Sequence, residues 1–154
     1  MSDFSKTVFI SYRRTNHYYA LAIYQSLTAH GFDCFMDYQS IDAGDFEQII
    51  VNQVQTRAHF LLVATPSTLE RCVAPQDWVR REIELAVASR RNIVPLMFEG
   101  FEWRDMTQYL VTPALRMLQK YNSLRIPSEF FEEAMQRLIG RFLNKTPDQV
   151  MLPE

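Results

Sequence analysis

The sequence predicts a three-layer α/β domain built on a parallel sheet, and three observations lead there. Short β-rich runs alternate with helical patterns along the chain, which is how parallel sheets with crossover helices are written. One run, "AHFLLVAT" (Ala58–Thr65), is apolar without a break, as expected of a strand covered on both faces. A chain of 154 residues suits one domain, able to bury about 70% of the surface its unfolded form exposes. Five βα units of this length fit a flavodoxin-like sheet of five parallel strands in the order 2-1-3-4-5, with helices on both faces.

The elements follow in order. "TVFIS" (Thr7–Ser11) is the first strand and ends abruptly in "YRRTN". Ala20, Leu21, Ile23, Tyr24 and Leu27 recur at helical spacing, and Gly31 supplies a C-terminal stop. "DCFMD" (Asp33–Asp37) is the second strand, and "YQSIDAGD" is a polar loop containing Gly44. "FEQIIVNQVQ" is the next helix, with Asp45 as its predicted N-cap. Ala58–Thr65 is the third strand, followed by the connecting segment "PSTLERCVAP". "DWVRREIELAVASR" is a helix, "NIVPLMF" (Asn92–Phe98) the fourth strand, "EGFEWRDM" a loop and "YNSLRI" a short edge strand. "SEFFEEAMQRLIGRFL" closes the domain as a helix with Ser128 as predicted N-cap. The domain is expected over residues 6–144, with a polar tail or linker over 145–154.

Composition narrows the function. Hydrophobic residues are 47% and charged residues 22%, an ordinary globular balance. A net charge of −2 argues against a broad nucleic-acid surface. Cys34 and Cys72 lie in or beside apolar segments without a ligand spacing, so they read as reduced packing thiols and no metal site is expected. His17, His30 and His59 are scattered and read as surface or packing residues. The start, "MSDFSK", has no signal-peptide pattern, and no apolar stretch reaches about 20 residues, so a cytoplasmic module without a membrane span is expected. Gly31, Gly44, Gly100 and Gly140 make neither GxGxxG nor GxxxxGK[ST]. No GxSxG elbow occurs. A phosphoacceptor receiver would need an Asp where the third strand ends in "VATPS" and acids where the first ends in "SYRR".

In doubly wound sheets ligands bind beyond the carboxyl ends of the strands, here the loops after Ser11, Asp37, Thr65 and Phe98. At about 100° per residue, Val79, Ile83, Ala86 and Val87 form the core stripe of the third helix, with Arg80, Arg81 and Glu84 on the solvated side. Glu82 falls at the edge of the stripe and Trp78 one turn below it on the same flank. The helix alone leaves two readings open. The pair forms one wall of a cleft, or it is a Trp plugging the end of the sheet beside a Glu favoured by the helix dipole. Arg13 and Arg14 can hold phosphates bidentately or simply be solvated. Asp37, Asp42 and Gly44 fit a mobile lid over ribose hydroxyls or a turn with capping acids.

Taken in order, "VFISYRR", "HGFDCFMD", "SIDAGDFEQII", "LLVATPSTL", "DWVRREI" and "NIVPLMFEGFEW" resemble a TIR (Toll/interleukin-1 receptor) domain. The resemblance is to the enzymatic branch, the bacterial TIR domains of anti-phage defence and the animal axon-degeneration NAD hydrolase, and it covers residues 6–144. It implies cleavage of the nicotinamide–ribose bond of NAD, giving nicotinamide and ADP-ribose or a cyclic ADP-ribose isomer. NAD is then the substrate, with no separate cofactor. The family's W-x-x-x-E arrangement falls on Trp78 and Glu82, so Glu82 is the implied catalytic carboxylate and Trp78 the implied nicotinamide platform. Tyr12, Arg13 and Arg14 match the first-strand loop, Asp37 the acid ending the second strand, and Gly44 the glycine of the mobile BB loop. Asp42 stands where that branch has Glu, and Trp103 matches an aromatic beyond the fourth strand. The resemblance also implies TIR–TIR self-association or filaments. Its alternative is a non-catalytic signalling scaffold acting through that association. A nucleotide base-exchange enzyme is a third reading.

Overall fold

The computed structural model describes residues 4–36 and 46–145. Five strands, β1 (Thr7–Ser11), β2 (Asp33–Phe35), β3 (His59–Ala64), β4 (Asn92–Met97) and β5 (Leu124–Arg125), form one sheet in the order β2-β1-β3-β4-β5. Every pairing is parallel: Thr7 faces Asp33, Val8 faces His59, His59 faces Asn92, and Leu96 faces Leu124. Burial explains the composition of the strands. β1, β3 and β4 are buried at every position, whereas β2 and β5 are edges with an exposed residue each.

Alternation along the strands sends side chains to two cores. Val8, Ile10, Leu61, Val63, Val94 and Leu96 pack on α1 (His17–Ala29) and α5 (Phe131–Arg137). Phe9, Phe60, Leu62 and Ile93 pack on α2 (Phe46–Thr56), α3 (Trp78–Ala88) and α4 (Pro113–Met117). Phe9 is stacked against both Phe35 and Phe60, at 5.5 Å between ring centroids in each case. The turn after α1 shows why Gly31 stops it. Gly31 has φ +89°, its N–H donates to the Thr28 carbonyl, and the Phe32 N–H donates back to Leu27.

Several details differ from the sequence reading. β2 ends at Phe35; Asp37, its expected end, lies outside the described residues, as do Asp42, Gly44 and Asp45. The expected tail is likewise outside them from residue 146 onward. α4 was not anticipated, although its start is chemically marked: the Thr112 hydroxyl accepts from the Leu115 N–H, and Pro113 sits in the first turn, where a missing N–H costs nothing. The closing helix is composite, with a 3-10 turn at Ser128–Phe130, α5, and a π-helical turn at Leu138–Phe142. Ser128 does not cap it, because its hydroxyl donates instead to Glu99 Oε1 at 2.7 Å. Both cysteines are free, and burial pushes each thiol up to about 12, so they remain protonated.

Candidate active site

A cleft of about 750 Å³ opens where β1 and β3 end, the point at which strand order reverses. Its lining includes Tyr12, Arg13 and Arg14 after β1, Ser67, Glu70 and Arg71 after β3, Phe46 from α2, and Asp77, Trp78 and Glu82 from α3. The structure therefore brings five of the nine predicted site residues, Tyr12, Arg13, Arg14, Trp78 and Glu82, to one cavity. Trp103 is not among its lining residues; it packs edge-on against Phe101, 4.8 Å away, beside the α3 and α4 core. Asp37, Asp42 and Gly44 lie outside the described residues.

Glu82 is more deeply set than the helical wheel predicts. Only 2% of it is exposed, and the Ser11 hydroxyl donates to its Oε1 at 2.7 Å. A carboxylate taken from water needs such partners, since burial without hydrogen bonds is costly. Ser11 reaches it because strand residues two apart share a face: Phe9 and Ser11 both point toward α2 and α3. That alternation was readable in "VFIS", but the partner, 71 positions away, was not.

Arg13 does not present its fork to the cleft. Its two terminal nitrogens donate to Asp77 Oδ1 at 2.6 Å and Oδ2 at 2.9 Å, and its Nε donates to the Thr68 carbonyl. Asp77 is also the N-cap of α3, accepting from the Arg80 N–H at 3.0 Å. Burial of the Asp77 carboxyl pushes its pKa up, but hydrogen bonds from Arg13 and the Arg80 amide outweigh this and leave it below its ordinary value. Arg13 is thus a clamp that seats the first turn of α3, carrying Trp78 and Glu82, against the loops after β1 and β3. The receiving loop is itself fixed: the Thr68 hydroxyl accepts from the Thr65 N–H and donates to the Val63 carbonyl, and Thr65 donates to Asn16. Arg14 and Arg71 are the exposed cations on the rim. Tyr12 is buried and donates its hydroxyl to the Met36 carbonyl, tying the ends of β1 and β2 together.

Trp78 is half-buried between two neighbours. Phe46 meets it edge-on at 4.8 Å, and the Arg81 guanidinium lies over its ring at 4.2 Å while pairing with Glu47. Arg81 keeps an exposed side chain, as predicted, whereas Arg80 departs from the predicted solvated face. Arg80 folds back on the Cys72 and Val73 carbonyls with 12% of its side chain exposed. Among the described residues no group of three potential ligands converges on a metal site, and no histidine lines the cleft. What remains is a buried carboxylate, an aromatic face that already accepts a cation, and exposed guanidinium groups at the rim.

A family profile described as "TIR domain" matches residues 8–139, most of the chain. The chain belongs to the TIR domain family. Among curated relatives, this TIR domain is 34% identical over 146 residues to "NAD(+) hydrolase SARM1" of Danio rerio, a match covering 92% of this chain and 20% of that protein. It is 30% identical over 154 residues to "NAD(+) hydrolase tir-1" of Caenorhabditis elegans, covering 95% of this chain and 16% of that one. The chain therefore spans about a fifth or less of these relatives' length. Among solved structures, the TIR domain of the Toll-related receptor TRR-2 of Hydra magnipapillata superposes with a TM-score of 0.62 at 13% identity, over 90% of this chain and 98% of that one, a likeness of fold.

Proposed function

We propose that this TIR domain is an NAD nucleosidase that breaks the nicotinamide–ribose bond, with Glu82 as the catalytic carboxylate. The observation that carries the reading is Glu82 itself: a carboxylate 2% exposed, hydrogen-bonded by Ser11, lining the cleft at the strand-reversal point beside Trp78. The curated relatives named as NAD(+) hydrolases support it. In the reaction the C1′–N1 bond breaks and its electron pair stays on the pyridine nitrogen, so nicotinamide leaves neutral and needs no general acid. The ribose is left oxocarbenium-like, as in glycoside cleavage, and ionised Glu82 stabilises that charge. Trp78 takes the nicotinamide ring; aromatic faces attract cations, and Arg81 already occupies this indole in that manner. Arg14 at the rim offers its guanidinium to the diphosphate. Water attacks C1′ and loses a proton to give ADP-ribose, or the adenine of the same molecule attacks to give a cyclic isomer. NAD is the substrate and no further cofactor takes part. The setting is cytoplasmic signalling or anti-phage defence.

The test is nicotinamide release from NAD by purified protein. Glu82→Gln keeps an oxygen that accepts from Ser11 but removes the charge, and is expected to lower kcat by about 100-fold or more with the fold intact. Undiminished turnover in that variant excludes Glu82 as the catalytic group.

A scaffold acting through TIR–TIR association is the second reading, and exposed aromatics favour it. Tyr18, Tyr19 and Phe130 are 82%, 48% and 56% exposed, and Tyr19 rims a small apolar pocket with Phe98 and Phe131. The two readings are compatible where association completes the site. The same assay run across protein concentrations separates them: turnover rising faster than linearly indicates an assembled enzyme, strict proportionality a self-sufficient one, and silence throughout a scaffold.

A further inference from the structure

We propose that Ser11 is the positioning residue of the reaction, holding Glu82 ionised and fixing one of its oxygens toward the cleft. The inference rests on the NAD-cleaving reading and adds to it a residue that the family motifs assign no role. Ser11 is fully buried at the last position of β1, paired with Leu62 in the centre of the sheet, so its backbone has little freedom. Its Oγ lies 2.7 Å from Oε1, a full-strength hydrogen bond in which the hydroxyl donates to the carboxyl oxygen. An ionised carboxylate only accepts, so the one proton of the hydroxyl must point at it. A donor directed at the charged form favours that form.

Two consequences follow for the chemistry. Glu82 is kept as an anion at the moment positive charge develops on the ribose. It also begins in one rotamer, so the charge meets a preorganised partner and no reorientation is required. β1 lies in the sheet and α3 lies on it, and this hydrogen bond joins them at the mouth of the cleft, next to the Arg13–Asp77 clamp. The clamp seats the helix; the serine sets the carboxylate.

The experiment compares wild type with Ser11→Ala, measuring kcat, KM and the rate–pH profile on NAD, together with a 13C NMR titration of the Glu82 side-chain carboxyl. Among the described residues the charged and titratable groups around Glu82 are Tyr12, Arg13, Arg14, Glu70, Arg71, Asp77, Arg81 with its partner Glu47, and Glu84, all unchanged in the variant, so a moved pH limb reports Ser11. The expected result is a kcat loss of about tenfold or more with KM within about twofold. The acid limb and the carboxyl midpoint should both move up by about one pH unit. A purely structural serine would lower the melting temperature and leave limb and midpoint where they were, and that result overturns the proposal. Should the alanine variant fail to fold, Ser11→Cys keeps the bulk with a weak donor, and the same two readouts decide. If wild type releases no nicotinamide, the NAD reading falls, and the carboxyl titration alone still accepts or rejects the hydrogen bond.

Discussion

Trp78 and Glu82 sit one helical turn apart, and their environments give them different duties. Both line the cleft: Glu82 lies at its buried base, held by Ser11, whereas Trp78 is more exposed, with Phe46 at its side and Arg81 on its ring. Stacking of a flat base on an aromatic side chain contributes about 1–3 kcal/mol. Trp78→Ala is therefore expected to cost about tenfold or more in kcat/KM, or to change the ratio of cyclic to linear product, while Trp78→Phe retains most of both. Chromatographic product analysis checks this, and an alanine variant unchanged in rate and ratio rules out the stack. Helical spacing placed this pair on one flank, and the family resemblance supplied the implied roles. Neither was enough for Arg13, which the sequence offers as a phosphate ligand beside Arg14. Its fork is committed to Asp77, 64 positions on, and adjacency of two arginines carries no record of such a partner.

At the scale of elements, the site depends on how α3 begins. Asp77 caps the helix and neutralises Arg13, and both side chains are about nine-tenths buried. Asp77→Ala removes the cap and strands a buried guanidinium, with an expected loss on the order of 3 kcal/mol in denaturant unfolding. The acid side of the stability curve carries the same signature. Asp77 titrates below its ordinary 3.8 in the folded state, so its contribution is fully present above that pH and is lost as pH falls through the folded value. Asp77→Asn should accordingly flatten the acid limb below about pH 4; a variant with the wild-type slope would show that the clamp adds no stability. Two helix starts were legible and went unread: Asp77 directly before an amphipathic run, and Thr112-Pro113 at the start of α4. The composite closing helix was not: "SEFFEEAMQRLIGRFL" has one helical period throughout, which carries no mark of its 3-10 and π segments or of the Ser128–Glu99 hydrogen bond.

Across the whole molecule the alternation of buried runs with amphipathic helices fixes the layers and sets β1, β3 and β4 inside the sheet, because each apolar strand must be covered on both faces. The end of the sheet away from the cleft is closed by a polar network that no periodicity announces. His59, with no exposed surface, opens β3 directly opposite Asn92 at the start of β4. Asn92 Nδ2, which can only donate, gives hydrogen bonds to His59 Nδ1 and to the Phe142 carbonyl. His59 Nδ1 is therefore the acceptor, and Nε2–H donates to the Ser5 carbonyl at 2.7 Å. The neutral imidazole and the Asn92 amide together join the N-terminal turn, the sheet and the closing helix. A second proton would set Nδ1–H against the Asn92 amide, and burial already holds the ring's pKa below 6.5, against the opposing pull of the Ser5 carbonyl. Because the folded value is depressed, the unfolded chain takes up the proton first. Stability is fully present above 6.5 and falls as pH drops from there through the folded value. Thermal melts between about pH 7.5 and 5.5 should show this decline in the wild type. They should show less of it in His59→Gln, whose amide can accept from Asn92 and donate to Ser5 without titrating; equal slopes would remove His59 as the cause.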